Sequence, residues 1–312
     1  MQGGDAARDR HSRIAAFLNP GAGKADAVAA ALEDAGAFAV HRVDPPRMDA
    51  AVRAALPGAS RLVAAGGDGT VGAVAAIVAG TRVALAVVPA GTLNHFARDH
   101  DIPVEPPEAA RLARDGEARP VDVARVTGRL FLNTSSIGAY VRFVRWRERL
   151  EPRLGYHLAS AVAAFRALVQ PRTYLVRLTV EGKERTYHTP LVFIGVGERE
   201  LRVPKLGGRV RDGARALHVL VVRGGPLRRI VALVAVALAR GVHSASGTRW
   251  IDATLVDACS VELPGGHNDV AVDGEIVSLD TPLEYAMERD ALLLVCPPPG
   301  ERSKGERGQS GA

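Results

Sequence analysis

Short apolar runs that end on glycine and lead into alanine-rich stretches recur through the first third of the chain. Residues 13–18 read as a strand that closes on Asn19-Pro20-Gly21-Ala22-Gly23. Residues 24–35 then carry a helical pattern that Gly36 stops. A second strand at 38–43 and a second helix at 48–56 follow. Residues 62–65 and 83–88 are unbroken apolar runs, as strands buried on both faces require, and each stops at a Gly-bearing turn before a new helical pattern begins. Four strand–helix alternations predict a parallel sheet with helices on both faces. Ligands of such sheets sit at the carboxyl ends of the strands, where every Gly-rich loop here falls.

From Pro120 the pattern changes. Residues 121–126, the turn Thr127-Gly128-Arg129 and residues 130–137 read as a hairpin. Strand-like segments follow at 173–181, 186–196, 217–222, 259–263, 269–279 and 292–296. Two helical stretches interrupt them, 142–169 (broken near Pro152) and 227–240. The fold class predicted is α/β: an N-terminal parallel-sheet domain with Gly-rich loops over 13–128, then a mainly antiparallel β-sandwich domain over 129–287. Residues 298–312 are rich in Pro, Gly and charge and read as a disordered tail.

Composition narrows the setting. The 312 residues suffice for sizeable cores. The longest apolar candidate, 230–239, is too short to span a bilayer and is flanked by Arg228, Arg229 and Arg240. Residues 1–12 lack the apolar segment of a signal peptide. Cys259 and Cys296 form no CxxC pair. A cytoplasmic protein is expected. The net charge of +6 is nearly all arginine, with lysine only at 24, 183, 205 and 304. It fits several partners and selects none. No nucleic-acid motif accompanies it, so nucleic acid is not an expected partner.

The candidate chemistry centres on Gly66-Gly67-Asp68-Gly69-Thr70. Glycines at a strand end leave backbone N–H groups uncovered beside the positive end of a helix dipole, which makes an anion site. Asp68 inside that cradle would repel phosphate unless Mg²⁺ stood between them. Gly67 to Gly72 also satisfies GxGxxG, but the dinucleotide reading wants an acidic residue near Val87–Ala90, and none is there. The GxxxxGK[ST] loop is absent, because Ala25 takes the hydroxyl position after Lys24.

The pairing of Gly66-Gly-Asp-Gly-Thr70 with Pro89-Ala-Gly-Thr-Leu-Asn94-His-Phe-Ala-Arg98 and Ile102-Pro103 resembles the catalytic domain of diacylglycerol kinases and related lipid kinases. GGDGT alone also occurs in NAD kinases and phosphofructokinases. The resemblance implies ATP contacts at Asn19, Gly66, Gly67, Asp68, Gly69, Thr70, Gly91, Thr92 and Asn94, with Mg²⁺ required. It implies that Asp68 and Glu275 are catalytic, Glu275 in Asp273-Gly274-Glu275 being the base, although by pattern alone Asp-Gly is a hairpin turn. It places Asp122 in a metal–water network, and Asp212 with the carbonyls of Arg209 and Ala214 around a structural Mg²⁺. The chain departs from the family at Leu217-His218-Val219, where Leu-Asp-Val is usual, and at 197–202. In the family the final strand returns to the first domain, as 288–297 could here.

The function implied is transfer of the ATP γ-phosphoryl group to a lipid hydroxyl, with diacylglycerol the default acceptor. The rivals are an NAD kinase-like enzyme and a non-catalytic nucleotide- or lipid-binding relative. The lipid would be met at the inner face of the membrane by a peripheral protein, and a homodimer is left open. Arg142, Arg145 and Arg149 share one predicted helical face and Phe143, Trp146 and Leu150 another, a pattern suited equally to an anionic bilayer or to core packing.

Overall fold

The computed structural model describes residues 13–170, 172–200, 208–210, 212–224 and 251–298. The helix expected over 227–240 and the tail expected from 299 onward lie outside them. The chain divides into two compact units, Met1–Val121 with Asp290–Ala312, and Asp122–Arg289.

The first unit holds strands β1 (Ile14–Leu18), β2 (Phe38–Arg42), β3 (Arg61–Gly66) and β4 (Ala84–Pro89). The last residues of β16 (Leu283–Val295) join them, Leu294 pairing with Leu85. The order is β2-β1-β3-β4-β16 and every pairing is parallel. Helices α1 (Ala25–Asp34), α2 (Pro45–Ala55), α3 (Asp68–Val78), α4 (His95–Asp99) and α5 (Pro106–Asp115) fill the connections. Alternation along a strand sends successive side chains to opposite faces. Ala16, Leu18, Val63, Ala65, Ala86 and Val88 accordingly pack with Val28 and Leu32 of α1 and Ala109 and Ala113 of α5. The residues between them, Phe17, Leu62, Ala64, Leu85 and Val87, are equally buried and face the other way. Helices on both faces explain why β3 and β4 read as unbroken apolar runs.

Arg61 joins β3 to the end of α5, its guanidinium donating to the carbonyls of Ala113, Arg114 and Gly116 at 2.7 Å each. Those carbonyls lie in and just past the last turn, where a helix leaves its acceptors unpaired and carries negative dipole charge.

The second unit is a sandwich of antiparallel sheets. One has the order β12 (Ile251–Val256), β11 (Leu217–Val222), β10 (Leu191–Val196), β7 (Thr134–Gly138), β14 (His267–Val272), β15 (Glu275–Asp280). The other contains β9 (Lys183–Thr189), β8 (Tyr174–Val180), β13 (Ala258–Glu262) and the first residues of β16, together with the hairpin of β5 (Ala118–Val126) and β6 (Arg129–Phe131). Val176, Leu178, Val261 and Leu283 of one face meet Val192, Ile194, Val219 and Val270 of the other in a common core. Phe131 and Tyr285 pack edge to face there at 6.2 Å, and the Tyr285 hydroxyl lies 3.0 Å from the Ser135 hydroxyl. Cys259 is buried in that core, which pushes its thiol up to about 12, and neither cysteine is in a disulfide.

Several expected elements divide. Residues 130–137 are two strands in different sheets, β6 and β7, because the Asp273 carboxylate takes the N–H groups of Leu132, Asn133 and Thr134 at the corner (2.7, 2.8 and 3.0 Å). Residues 186–196 part at Pro190, which has no N–H for a ladder, and the Thr189 hydroxyl accepts the Leu191 N–H across that corner. The long helix α6 (Ala139–Val169) leaves helical geometry at Gly155 (φ 70°, ψ 165°), three residues past the expected proline break. β12 and the first half of β16 were not expected: their polar outward positions hide the inward Leu283 and Tyr285.

His218 of β11 is buried, and its Nδ1 accepts the Arg199 backbone N–H at 3.0 Å. Burial lowers its pKa below the ordinary 6.5. The unfolded chain therefore takes up a proton before the folded one, so stability is intact above pH 6.5 and falls as pH drops below it. Urea unfolding at descending pH should show a slope of at most about 1.4 kcal/mol per pH unit from this group. His218→Gln, which keeps an acceptor for Arg199, should remove that component of the slope.

Candidate functional site

Three loops converge at the carboxyl ends of β1, β3 and β4. The Asn19 N–H donates to Ala65 O at 3.0 Å and the Lys24 N–H to Ala90 O at 3.1 Å, while Ala90 N–H reaches Gly66 O at 2.8 Å. Asn19 closes its own turn by accepting the Gly21 N–H at 2.9 Å and sends its amide toward Thr70 Oγ1 at 3.5 Å.

The glycines are there because the loops touch. A Cβ on Gly91 would stand 2.7 Å from the Gly67 Cα, a backbone atom that cannot swing aside. A Cβ on Gly66 would run into the Thr70 side chain in the first turn of α3. Asn94 sits in the left-handed region (φ 51°, ψ 48°), which asparagine tolerates better than most residues. Its side chain clamps Gly91 from both sides, accepting the Gly91 N–H at 3.0 Å and donating to its carbonyl at 2.7 Å.

Asp68 does not point into an empty cradle. Its two carboxylate oxygens accept the His95 and Phe96 N–H groups, each at 3.1 Å, and so tie the start of α3 to the start of α4. That capping disperses the charge that Mg²⁺ was expected to neutralise. The α3 N-terminus still presents N–H groups without intrahelical acceptors, beside exposed Gly69 and Thr92. This arrangement suits an anion such as phosphate.

Glu275, in the second unit, opens β15 after a two-residue turn in which Asp273 (φ 47°) and Gly274 (φ 89°) both have positive φ. Glu275 is exposed and pairs with Arg129 at 3.1 Å. Asp273 is the member of this triplet with the built-in partners, the three N–H groups at the β6–β7 corner. Sequence reasoning passed over it as a turn residue.

Asp122 was expected in a metal–water network, and Asp212 with the Arg209 and Ala214 carbonyls around a structural Mg²⁺. Asp122 is 2% exposed, and Arg215 grips it through two bonds at 2.9 and 2.5 Å while Arg209 approaches to 3.5 Å. The Ala214 carbonyl accepts the Glu198 N–H at 3.0 Å, and the Glu198 carboxylate accepts the Ala214 N–H at 3.0 Å. Asp212 is exposed. Two guanidiniums on the Asp122 carboxylate oppose a cation there, so Asp122 does not fit a metal ligand. Among the described residues no group of three or more His, Cys, Asp or Glu side chains could hold a metal ion. Arg215 left no signal in the sequence, since nothing in its spacing ties it to Asp122.

Residues 13–126 match the family model of the diacylglycerol kinase catalytic domain. The chain is 48% identical over 83 residues to the probable lipid kinase YegS-like of Pseudomonas aeruginosa, covering 26% of this chain and 27% of that one. It is 42% identical over 92 residues to the diacylglycerol kinase of Bacillus subtilis, covering 28% and 30%. The chain thus matches less than a third of the length of these relatives. Its fold is similar to that of a diacylglycerol kinase from Bacillus anthracis str. Sterne, with a TM-score of 0.67 and 21% identity over 92% of this chain and 97% of that one. At that identity the likeness concerns the fold.

Gly91→Ala should force the two loops apart and cost about 1–3 kcal/mol, as overpacking of a rigid contact does; thermal melting would detect it, and an unchanged melting point would refute the close approach. Arg215→Ala should destabilise the fold by less than the about 3–5 kcal/mol of a wholly stranded buried carboxylate, because Arg209 remains near Asp122. Adding Asp122→Asn to Arg215→Ala should recover part of that loss in urea unfolding.

Proposed function

We propose that this chain, whose residues 13–126 match the diacylglycerol kinase catalytic domain, is a lipid kinase that moves the γ-phosphoryl group of ATP to a lipid hydroxyl. The observation that carries the reading is the convergence of the Asn19, Gly66–Thr70 and Gly91–Asn94 loops at the ends of parallel strands, within the matched region. Backbone N–H groups at the α3 N-terminus would receive the phosphates of ATP, brought in as its Mg²⁺ complex. Loop-to-loop hydrogen bonds would hold those groups in place before the nucleotide arrives, so that little ordering cost falls on binding.

Phosphoryl transfer also needs a group that accepts the proton of the acceptor hydroxyl. Glu275 is the candidate, exposed at the start of β15 on a turn pinned by Asp273. Diacylglycerol is the acceptor favoured by the names of the relatives, with phosphatidic acid the product. Among the described residues no helix is long and apolar enough to cross a membrane, and we assign the protein a peripheral place at the inner membrane face.

Labelled γ-phosphate from Mg·ATP should enter one species of a mixed lipid extract. Glu275→Gln should lower kcat about 10²–10⁴-fold, as loss of a general base does, and Asp68→Ala should lower it by unfastening α4 from α3. Wild-type turnover in Glu275→Gln would remove Glu275 from the base role. ATP binding with no labelled lipid would leave a non-catalytic binding relative, and labelled NADP from NAD would make the chain an NAD kinase-like enzyme.

A further inference from the structure

The two sheets of the sandwich end on β9 and β12, and residues of both terminal strands line one cleft. Tyr187 of β9 faces inward there as part of the apolar core. Alternation puts Arg185 on the same face of β9, and Asp252 on the same face of β12 as buried Val256. Arg223 follows β11 on the face of the core residues Val219 and Val221. Groups from two sheets thus meet where the core gives out. With His188 they bound a space of about 480 Å³, within the roughly 300–1,000 Å³ of small-molecule sites.

Backbone contacts fix the walls. The Gly224 N–H donates to the His188 carbonyl at 2.6 Å, and the Thr189 hydroxyl donates to the Val222 carbonyl at 2.5 Å. A Cβ on Gly224 would stand 2.5 Å from that His188 oxygen, so the two strand ends are as close as bare backbone allows.

The charge inside does not balance. Arg223 spends one nitrogen, Nη2, on both oxygens of Asp252 at 2.9 Å each. That leaves its Nε and Nη1 for another acceptor. Arg185 is exposed and pairs with no carboxylate among the described residues. The Tyr187 hydroxyl stands within reach of both Arg185 and Asp252, and burial raises its pKa, so it adds no negative charge. Residues 225–250, which join Gly224 to β12, contain four arginines and neither Asp nor Glu. Two guanidiniums therefore share one carboxylate. A polar rim that merely covered the edge of the core would need no such excess.

Guanidinium forks match the oxygens of carboxylates and phosphates. A carboxylate presents its two oxygens in one plane and suits a single fork. A phosphate presents three around a tetrahedron, and can meet donors arriving from opposite sheets. We propose that this cleft of the second unit binds the phosphate group of a small phosphate monoester, held between Arg185 and Arg223. None of its residues belongs to the loops assigned to ATP, and the inference does not depend on the kinase reading.

The test is calorimetric titration of the full chain with inorganic phosphate, with acetate at equal ionic strength as the control. Phosphate at the α3 N-terminus would form a separate class of binding, so the quantity read is the component that Arg185→Gln removes. That variant should weaken it about tenfold or more, as loss of a charged hydrogen bond does, while its melting temperature in chloride stays at the wild-type value. Asp252→Asn withdraws the competing negative charge and should tighten phosphate binding. Equal binding by wild type and Arg185→Gln overturns the site, as does an equal response to acetate. A lowered melting temperature of Arg185→Gln in chloride also overturns it, by showing that Arg185 serves the fold. So does weaker phosphate binding by an Asp252→Asn protein that melts like the wild type. Glycerol 3-phosphate and a water-soluble short-chain phosphatidate, titrated in parallel, separate a polar ester from a lipid one. Either binding more tightly than phosphate, with the same dependence on Arg185, supports the site and names its ligand. If neither exceeds inorganic phosphate, the monoester assignment falls.

Discussion

Backbone contact between Gly67 and Gly91 is the constraint on which the first unit depends. β3 and β4 are neighbours paired through Gly66 and Pro89, so their carboxyl ends stop level and their loops emerge side by side. At that separation a side chain on Gly91 would run into the Gly67 backbone. Once the glycines allow the approach, short-range devices lock it: Ala90 to Gly66, Asn94 around Gly91, and Asp68 across to α4. Residues that look as though they were selected to touch a ligand are first required to touch one another. A bound phosphate would meet what is left over, the N–H groups of α3 aimed outward from a braced frame.

The parallel unit was legible because its physics is local. Buried strands must be apolar throughout, and glycine at each strand end signals the turn into a helix. The sandwich was harder to read because the decisive partners are distant in sequence. Asp273 ends a strand more than a hundred positions earlier, and Arg215 neutralises Asp122 from another sheet strand's approach. No periodicity records either contact. The motif around Glu275 was equally double-edged, since Asp-Gly makes the turn and also stands in the resemblance. The hydrogen bonds of Asp68 to the start of α4 were not legible either: a carboxylate beside a helix start can cap it as readily as it can wait for a cation.

Arginine does much of the internal work in this chain. Arg61 holds three carbonyls, buried Arg199 reaches the Asn133 and Val196 carbonyls, and Arg215 grips a carboxylate with two bonds. A planar guanidinium with five fixed donors can satisfy several acceptors at once, which a lysine ammonium does less well. A sequence charge of +6 therefore overstates the basic surface offered to partners, since part of it is consumed by the protein's own oxygens.

The parallel pairing of Leu294 with Leu85 gives the molecule a history as well as a shape. A chain made in order from its amino end exposes β4 as an unfinished edge while about 200 further residues are added, a separation that slows closure. During that interval the nascent sheet is a template for any passing strand. The sandwich made meanwhile ends in β16, whose own continuation supplies the missing neighbour. Completion of the second unit thus delivers the fifth strand of the first, and the order of synthesis becomes an order of assembly.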